Sequence, residues 1–299
     1  MNPTSRRSFL RSTAAAASAA LSAQVARAIP PIGRTRPSHL KLSLAAYSFR
    51  QFLTGSNPKL DLFKFVDLAA DYALDGVELT SYYFPTNADS DYFHRLKQHA
   101  FKLGLDVSGT SVGNNFCLPP GPKRDEQLAL VRTWVDHAAE LDAPVIRIFA
   151  GHLAKGQSEA DGVALAIEGI KASLPYAEHK GVALALENHG GITSTPAQIL
   201  KLVEAIDAPN FGVNLDTGNF HGVDPYADLA LLAPYAINVQ VKTEITPKGG
   251  RKHNADLAHE IKVLRDAHYA GYVVLEYEAA EDPFRAVPGI LKEMRGLLS

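Results

Sequence analysis

The chain has 299 residues, a length that suits one large domain or two small ones, and a single α/β barrel typically has about 250 residues. Its hydrophobic fraction of 46% and charged fraction of 21% are typical of globular proteins and exclude a disordered or collagen-like chain. With 30 basic and 32 acidic residues the formal net charge is -2, so the basic surplus typical of a nucleic-acid-binding protein is missing. The sequence has no run of about 18 apolar residues, which argues against a membrane-spanning bundle.

The first residues have the pattern of a twin-arginine export signal, in which an arginine pair precedes a short apolar segment and a small-residue cleavage site. The pair is Arg6 and Arg7, and an alanine- and serine-rich stretch ends at Ala28. We therefore predict export to the periplasm or beyond by the twin-arginine machinery, cleavage near Ala28 and no stable membrane span afterwards. An amphipathic or disordered N-terminal arm is the alternative. The predicted segments are the signal (residues 1–28), a linker (29–40) and a folded catalytic domain (41–299).

Short β-rich segments alternate with segments of helical spacing along the rest of the chain. The eight predicted strands are Lys41–Tyr47, Gly76–Thr80, Leu105–Gly109, Pro144–Phe149, Val182–Glu187, Asn210–Asp216, Ala236–Lys242 and Gly271–Tyr277. Eight strand–helix units imply parallel pairing with right-handed crossovers, and they predict one closed (β/α)8 barrel. The alternative is a doubly wound open sheet, but no G-x-G-x-x-G pattern follows the first predicted strand.

The alternation within each predicted strand separates residues that face the surrounding helices from residues that face the barrel axis. In the fifth strand Leu184 and Leu186 belong to the apolar phase, which faces the helices, and Glu187 belongs to the inward phase. The polar residues on the inward phases are Glu78, Arg147, Glu187, Asn214, Asp216, Asn238, Gln240, Lys242, Glu276 and Glu278. Most lie near the carboxyl ends of the strands, where barrel enzymes carry their active sites.

Several buried carboxylates at one place need positive charge close by, because burying an unpaired carboxylate is strongly unfavourable. Arg147 and Lys242 could supply part of this charge, and a divalent cation would supply more. The candidate metal ligands are Glu187, Asp216, Glu276 and the amide oxygen of Gln240. Oxygen donors favour Mn²⁺ first, or Mg²⁺, with Zn²⁺ or Co²⁺ as alternatives. The alternative to a metal site is a set of solvated ion pairs at the barrel rim.

Five motifs in this order and spacing resemble the sugar phosphate isomerase/epimerase superfamily, the xylose-isomerase-like TIM barrels. They are G-V-E-L (Gly76–Leu79), L-E-N-H-G-G (Leu186–Gly191), N-L-D-T-G-N (Asn214–Asn219), V-Q-V-K (Val239–Lys242) and G-Y-V-V-L-E-Y-E (Gly271–Glu278). The resemblance, which covers the chain from about Leu42 onward, implies a metal held by Glu, Asp, His and Glu on strands five to eight. Gln240 stands at the histidine position, and Asn219 stands where the family often has a histidine that reaches the substrate.

The resemblance implies an isomerase or epimerase of a sugar or keto-sugar that abstracts a proton next to a carbonyl through a metal-bound enediolate. Glu187 and Glu276 are then expected to exchange the proton, and Lys242 to stabilise the oxyanion. The expected substrate-binding residues are Glu78, Arg147, His152, His189 and Asn219.

Export of the chain, and the lack of a glycine-rich phosphate-binding loop in its sequence, favour an unphosphorylated substrate. One alternative is a lyase or hydrolase of an oxidised (3-keto) glycoside that uses the same base and metal. A second alternative is a non-catalytic carbohydrate-binding barrel. Barrels of this kind often associate, so a homo-oligomer is compatible with each of these functions.

Overall fold

The structure, a computed structural model, describes residues 30–299, and the predicted export signal lies outside the described residues. Residues 30–39 form neither a helix nor a strand, but they contact the amino-terminal end of the barrel. The backbone N–H of Ile32 donates to the carbonyl oxygen of Pro234 at 3.1 Å. The Nη2 group of Arg34 donates to the carbonyl oxygen of Ala236 at 2.5 Å. The described part of the predicted linker is therefore attached to the folded domain.

Within residues 30–299, eight parallel strands close a barrel in which each strand pairs with its neighbours in the chain and the first pairs with the last. The strands are β1 (Leu40–Ala45), β2 (Gly76–Thr80), β3 (Asp106–Ser111), β4 (Val145–Ile148), β5 (Ala183–Glu187), β6 (Phe211–Asp216), β7 (Ala236–Val241) and β8 (Gly271–Leu275). The prediction of a (β/α)8 barrel is confirmed. Strands β1 and β8 are each two residues shorter at their carboxyl ends than predicted, so Glu276 and Glu278 lie just beyond β8.

A helix follows each strand and covers the outside of the barrel. The helices are α1 (Leu62–Asp71), α2 (Ser90–Lys102), α3 (Pro122–Glu140), α4 (Glu159–His179), α5 (Pro196–Ile206), α6 (Pro225–Leu232), α7 (Leu257–Asp266) and α8 (Pro283–Leu298). Local sequence explains their ends. Helix α5 begins with a capping box, in which Thr195 accepts from the backbone N–H of Gln198 and the side chain of Gln198 accepts from the backbone N–H of Thr195. The described helices include none that is long and apolar enough to cross a membrane.

Burial follows the predicted alternation. The outward-facing Val213 and Leu215 of β6, and Val239 of β7, are fully buried beneath the helices. The polar residues of the predicted inward phases are buried inside the barrel as well, except Glu278, whose side chain is 40% exposed. The β6–β7 pairing shifts register between Val213 and Asn214 and then places Asp216 beside Gln240, and the β5–β6 pairing places Glu187 beside Asn214. The barrel thus brings its polar residues together in its interior, toward the carboxyl ends of the strands.

Two irregular elements on this face were not predicted. A 3-10 turn (Ala46–Phe49) and a short helix (Arg50–Leu53) follow β1. A two-stranded hairpin, in which Glu244–Ile245 pairs with His253–Asn254, follows β7. Both elements belong to loops at the carboxyl end of the barrel, the end at which barrel enzymes bind substrate.

Candidate active site at the carboxyl ends of the strands

A chain of side-chain hydrogen bonds crosses the barrel interior from β2 to β7. Asn238 Nδ2 donates to Glu78 Oε2 at 2.9 Å, and Gln240 Nε2 donates to Glu78 Oε1 at 2.6 Å. Asn238 Nδ2 also donates to Asn214 Oδ1 at 2.7 Å. Asn214 Nδ2 donates in turn to Gln240 Oε1 at 2.6 Å. All four side chains are buried, so this network fixes the orientation of each amide.

The carboxylate of Glu78 sets the direction of the network. When Glu78 is ionised it can only accept hydrogen bonds, and both amides present N–H groups to its oxygens. Reversing Gln240 would place its oxygen against the Glu78 carboxylate and its N–H group against the N–H group of Asn214. The Gln240 oxygen therefore faces Asn214, and its N–H group faces Glu78 and, at 3.5 Å, Glu276.

Glu78 lies below the mouth of the barrel and is fully buried. Burial and the charge of Glu276 raise the pKa of Glu78 to about 7, although the two amide donors and Arg147 oppose the shift. Since both of its oxygens accept amide N–H groups, Glu78 orients Asn238 and Gln240. It does not line the cavities described below.

The Lys242 ammonium lies among three carboxylates at the end of β7. Its Nζ atom is 3.3 Å from Asp216 Oδ2 and 3.1 Å from Glu278 Oε2, and it donates a hydrogen bond to Glu276 Oε2. Burial lowers the pKa of Lys242, but the three carboxylates outweigh this effect and raise the pKa well above its usual value. The Lys242 side chain, only 9% exposed, is therefore a buried cation at neutral pH.

Glu187, at the end of β5, has partners at both oxygens. Arg147 Nε forms an ion pair with Oε2 at 2.9 Å, and Asn219 Nδ2 donates to Oε1 at 3.0 Å. Arg147 is itself held by a hydrogen bond from Nη1 to the carbonyl oxygen of Val112 at 3.1 Å. Burial raises the pKa of Glu187, Arg147 opposes this, and the charges of Asp216 and then Glu276 raise it further. The net pKa is above the usual range of a carboxyl group, which suits a proton acceptor that works near neutral pH.

Asp216, at the end of β6, is held by its backbone and by one side-chain oxygen. Asn188 Oδ1 accepts from the backbone N–H of Asp216, and Asn188 Nδ2 donates to its carbonyl oxygen, both at 2.9 Å. Asp216 Oδ1 accepts from the backbone N–H of Gly218 at 2.9 Å. Oδ2 lies beside the Lys242 ammonium but has no hydrogen-bond partner among the described residues.

The predicted metal ligands do not fit a divalent cation in this arrangement. Among residues 30–299, no three His, Cys, Asp or Glu side chains are grouped as metal ligands. Both oxygens of Glu187 and of Glu276 have partners, and the oxygen of Gln240 accepts from an interior amide. Only Oδ2 of Asp216 is a buried ligand atom without a hydrogen bond in these four residues. A bound metal would have to displace Lys242 and reverse Gln240.

Two adjoining cavities lie beside this cluster. The smaller, of about 160 Å³, is lined by Lys242, Glu278, Asn219 and His221 among others. The larger, of about 650 Å³, is also lined by Asn219 and His221 and extends to His189. A water molecule occupies about 30 Å³ in the liquid, so even the smaller cavity admits a small polar molecule. Asn219 lines both cavities and donates a hydrogen bond to Glu187, so Glu187 lies one residue away from the open space in which a substrate could lie.

The structure places the other predicted substrate-binding residues at the rim. His189 and His152 are exposed, and their rings are 6.4 Å apart. The His189 ring packs at 4.3 Å from the ring of Phe149, over which the Arg147 guanidinium lies at 4.0 Å. His152 and His189 are thus linked to the buried cluster through Phe149 and Arg147.

Sequence reasoning missed two residues of this site. Asn188 lies on the outward phase after β5, and a polar residue among outward apolar ones was the signal that could have identified it. The ring of Tyr47 lies 6.0 Å from Lys242 Nζ. Tyr47 was assigned to the first strand but lies in the 3-10 turn after it, where strand alternation gives no information.

Comparison with known proteins places this chain in a family. The model for the xylose isomerase-like TIM barrel family matches residues 66–296. The structure of D-psicose 3-epimerase from Clostridium cellulolyticum H10 has a TM-score of 0.71 and 17% identity, and the match covers 87% of this chain and 99% of that one. The structure of 3-keto-D-glucoside 4-epimerase from E. coli has a TM-score of 0.66 and 16% identity, and the match covers 86% of this chain and 99% of that one. The structure of an L-ribulose 3-epimerase has a TM-score of 0.69 and 16% identity, and the match covers 87% of this chain and 93% of that one.

No curated protein matches the chain by sequence. The structural matches, at this level of identity, show the fold, whereas the family model also matches the sequence over most of its length. The predicted resemblance to the xylose-isomerase-like TIM barrels is confirmed: the chain belongs to the xylose isomerase-like TIM barrel family.

Proposed function

We propose that this protein is an isomerase or epimerase of an unphosphorylated sugar or keto-sugar and that it moves a proton at the carbon next to a carbonyl group. The observation that carries the proposal is the presence of two buried carboxylates, Glu187 and Glu276, at the carboxyl ends of the strands, with the Lys242 ammonium in contact with Glu276. Family membership and the epimerases among the structural neighbours support it.

The proton transfer needs a base, a positive charge and an acid. One carboxylate, best Glu187 because its pKa is raised, removes the proton from the carbon next to the carbonyl. The electron pair of the broken C–H bond moves to the carbonyl oxygen and gives an enediolate, whose negative charge the Lys242 ammonium stabilises. Glu276, once it has taken up a proton from solvent, gives that proton to the opposite face, which yields an epimer, or to the neighbouring carbon, which yields an isomer as the hydroxyl proton moves to the former carbonyl oxygen. Glu187 releases the abstracted proton to solvent.

Asn219 and Arg147 hold Glu187 in position for this step. Each binds one oxygen of the carboxylate, so the plane of the carboxyl group is fixed before substrate arrives. A base that is already oriented avoids the entropy loss of being ordered in the transition state.

A second candidate function is a lyase or hydrolase of a 3-keto-glycoside, in which the same proton abstraction expels a glycosyl oxygen. The cavity of about 650 Å³ favours it, because this space adjoins the smaller cavity at Asn219 and His221 and could hold a second sugar unit. One structural neighbour is a 3-keto-D-glucoside 4-epimerase. Product analysis separates the two functions, because only the lyase or hydrolase releases the second unit.

The family resemblance also implies a divalent cation, Mn²⁺ first, but the reaction proposed above does not use one because the residues do not fit it. For location we propose export by the twin-arginine route, on the evidence of Arg6, Arg7 and the segment that follows them. An exported enzyme would meet unphosphorylated sugars, because sugar phosphates are mainly cytosolic.

Solvent-deuterium exchange tests the proposed function. D-fructose, D-tagatose, D-psicose and 3-keto-glucosides are incubated with the protein in D₂O, and deuterium next to the carbonyl is measured by NMR. We expect exchange with at least one sugar, and a loss of at least about 10²-fold in Glu187→Gln and in Glu276→Gln. Glu204→Gln, on the exposed face of α5, is the control and should exchange normally. Normal exchange in either site variant would reject the role of that residue, and sugar binding without exchange would favour a carbohydrate-binding barrel.

A further inference from the structure

We infer that Lys242 takes the place of the divalent metal in this barrel, so that the protein carries its own cation and works without a bound metal ion. The role of Lys242 in catalysis rests on the proposed function. The replacement of the metal by Lys242 is argued from three groups of contacts.

The first group is around Lys242 itself. An ammonium group has three N–H donors, and three carboxylate oxygens surround this one: those of Asp216, Glu276 and Glu278. Two of these carboxylates are predicted metal ligands. A metal ion bound to Asp216 and Glu276 would occupy the space of the Lys242 ammonium. If the ammonium stayed next to the metal, the two cations would repel each other strongly in this buried site.

The second group is around Gln240, which stands where the family's histidine ligand is expected. A metal needs a lone pair from this position, but Gln240 directs its N–H group toward Glu276 and its oxygen toward Asn214. The bonds from Asn238 and Gln240 to Glu78 keep this direction. The replacement of histidine by glutamine therefore turns a metal ligand into a hydrogen-bond donor.

The third group is around Glu187. Arg147 and Asn219 bind its two oxygens, so the remaining predicted ligand already has a cationic partner. Each of the three predicted carboxylate ligands is thus in contact with a cation that belongs to the chain: Arg147 for Glu187, and Lys242 for Asp216 and Glu276.

Lys242 is also accessible to a substrate, as a replacement for the metal must be. It lines the cavity of about 160 Å³ together with Asn219 and Glu278. A carbonyl oxygen in this cavity could replace the partly exposed Glu278 carboxylate as the acceptor of one ammonium N–H, and the ammonium would then stabilise the enediolate as negative charge develops there.

The experiment measures Mn²⁺ binding directly. The full chain is equilibrated with Mn²⁺, dialysed, and its metal content is determined by elemental analysis. Deuterium exchange into the sugars is followed in parallel with and without EDTA. We expect far less than one Mn²⁺ per chain in the unaltered protein and the same exchange rate in both conditions.

Variants separate the role of Lys242 from general damage. Lys242→Met should lower exchange by about 10²- to 10³-fold, whereas Lys201→Met, on the exposed face of α5, should not change it. The double variant Gln240→His with Lys242→Met should gain Mn²⁺ binding of about one ion per chain, because it restores the ligand and removes the competing cation. Gln240→His alone should not bind Mn²⁺, which tests the inference even if Lys242→Met fails to fold.

Retention of about one Mn²⁺ by the unaltered protein, with loss of exchange in EDTA, would overturn the inference and leave the proposed function intact. Strong Mn²⁺ binding by Gln240→His with Lys242 in place would also overturn it. If the protein retains no Mn²⁺ and exchanges none of the sugars with or without the metal, the proposed function fails while the metal-free site is supported.

Discussion

Gly218→Ala should displace Lys242 without changing the charge of the site. A Cβ atom added at Gly218 would lie 2.6 Å from Cγ and 2.7 Å from Cβ of Lys242, and 3.1 Å from the carbonyl oxygen of Glu244. Ordinary contact begins near 3.4 Å, so the Lys242 stem must move by about 0.8 Å. The close atoms lie at the base of the side chain, so rotation of its far end cannot relieve the contact.

The expected effect on activity is large for so small a change. Displacing a catalytic group by about 1 Å can lower the rate by about 10²-fold, so we expect kcat for sugar exchange to fall by about 10- to 10²-fold. Overpacking of this kind typically costs about 1–3 kcal/mol of stability. The assay pairs the NMR exchange rate with the free energy of unfolding from urea denaturation.

Gly212→Ala is the matched control for this variant. A Cβ atom at Gly212 would meet Ile237 Cγ2 at 2.7 Å and the carbonyl oxygen of Tyr235 at 3.1 Å, which is nearly the same degree of overpacking. Gly212 lies near the amino end of β6, away from Lys242. We expect a similar loss of stability with kcat unchanged. Equal kcat values in the two variants would refute the argument that the position of Lys242 controls the rate.

Other predictions concern Asn219, Glu260 and the arginine pair. Asn219→Ala removes a hydrogen bond to the Glu187 carboxylate, and we expect steady-state kinetics to show a fall in kcat/KM of about tenfold or more. Burial raises the pKa of Glu260 well above its usual value of 4.5, so the folded chain keeps a proton there that the unfolded chain releases. The free energy of unfolding should therefore fall as the pH rises above 4.5, the usual pKa of this group, and Glu260→Gln should reduce this slope in urea denaturation, whereas an unchanged slope would contradict the assignment. Replacing Arg6 and Arg7 by lysine should retain the chain in the cytoplasm on cell fractionation, and unaltered export would contradict the twin-arginine prediction.

The sequence predicted the barrel and its inward-facing residues because both depend on short-range periodicity. Leu184 and Leu186 alternate with inward residues, and the same two-residue period places Asp216 and Gln240 inside the barrel. Parallel pairing then brings the strand ends to one level, so the approximate position of the site follows from the pattern.

The partners of these residues could not be predicted in the same way. Periodicity shows that Gln240 faces inward, but the direction of its amide depends on Glu78 and Asn214, which are distant in sequence. Similarly, Glu276 could have bound a metal and Lys242 a substrate oxyanion, or the two side chains could have bound each other. Only the three-dimensional arrangement shows that they form an ion pair.

Loop residues were the least predictable part of the site. Tyr47 lies in the 3-10 turn after β1, and His152 and His189 lie in loops whose path depends on packing against Phe149 and its neighbours. No strand or helix period extends through these segments, so their side chains could be placed on the carboxyl face of the barrel but not in contact with particular partners.

The most direct test of the account is solvent-deuterium exchange by the unaltered protein in the presence of EDTA. The account predicts that deuterium enters a keto-sugar at the carbon next to its carbonyl and that the chelator does not change the rate. It would be contradicted by exchange that appears only when Mn²⁺ is added, or by no exchange with any sugar of the panel.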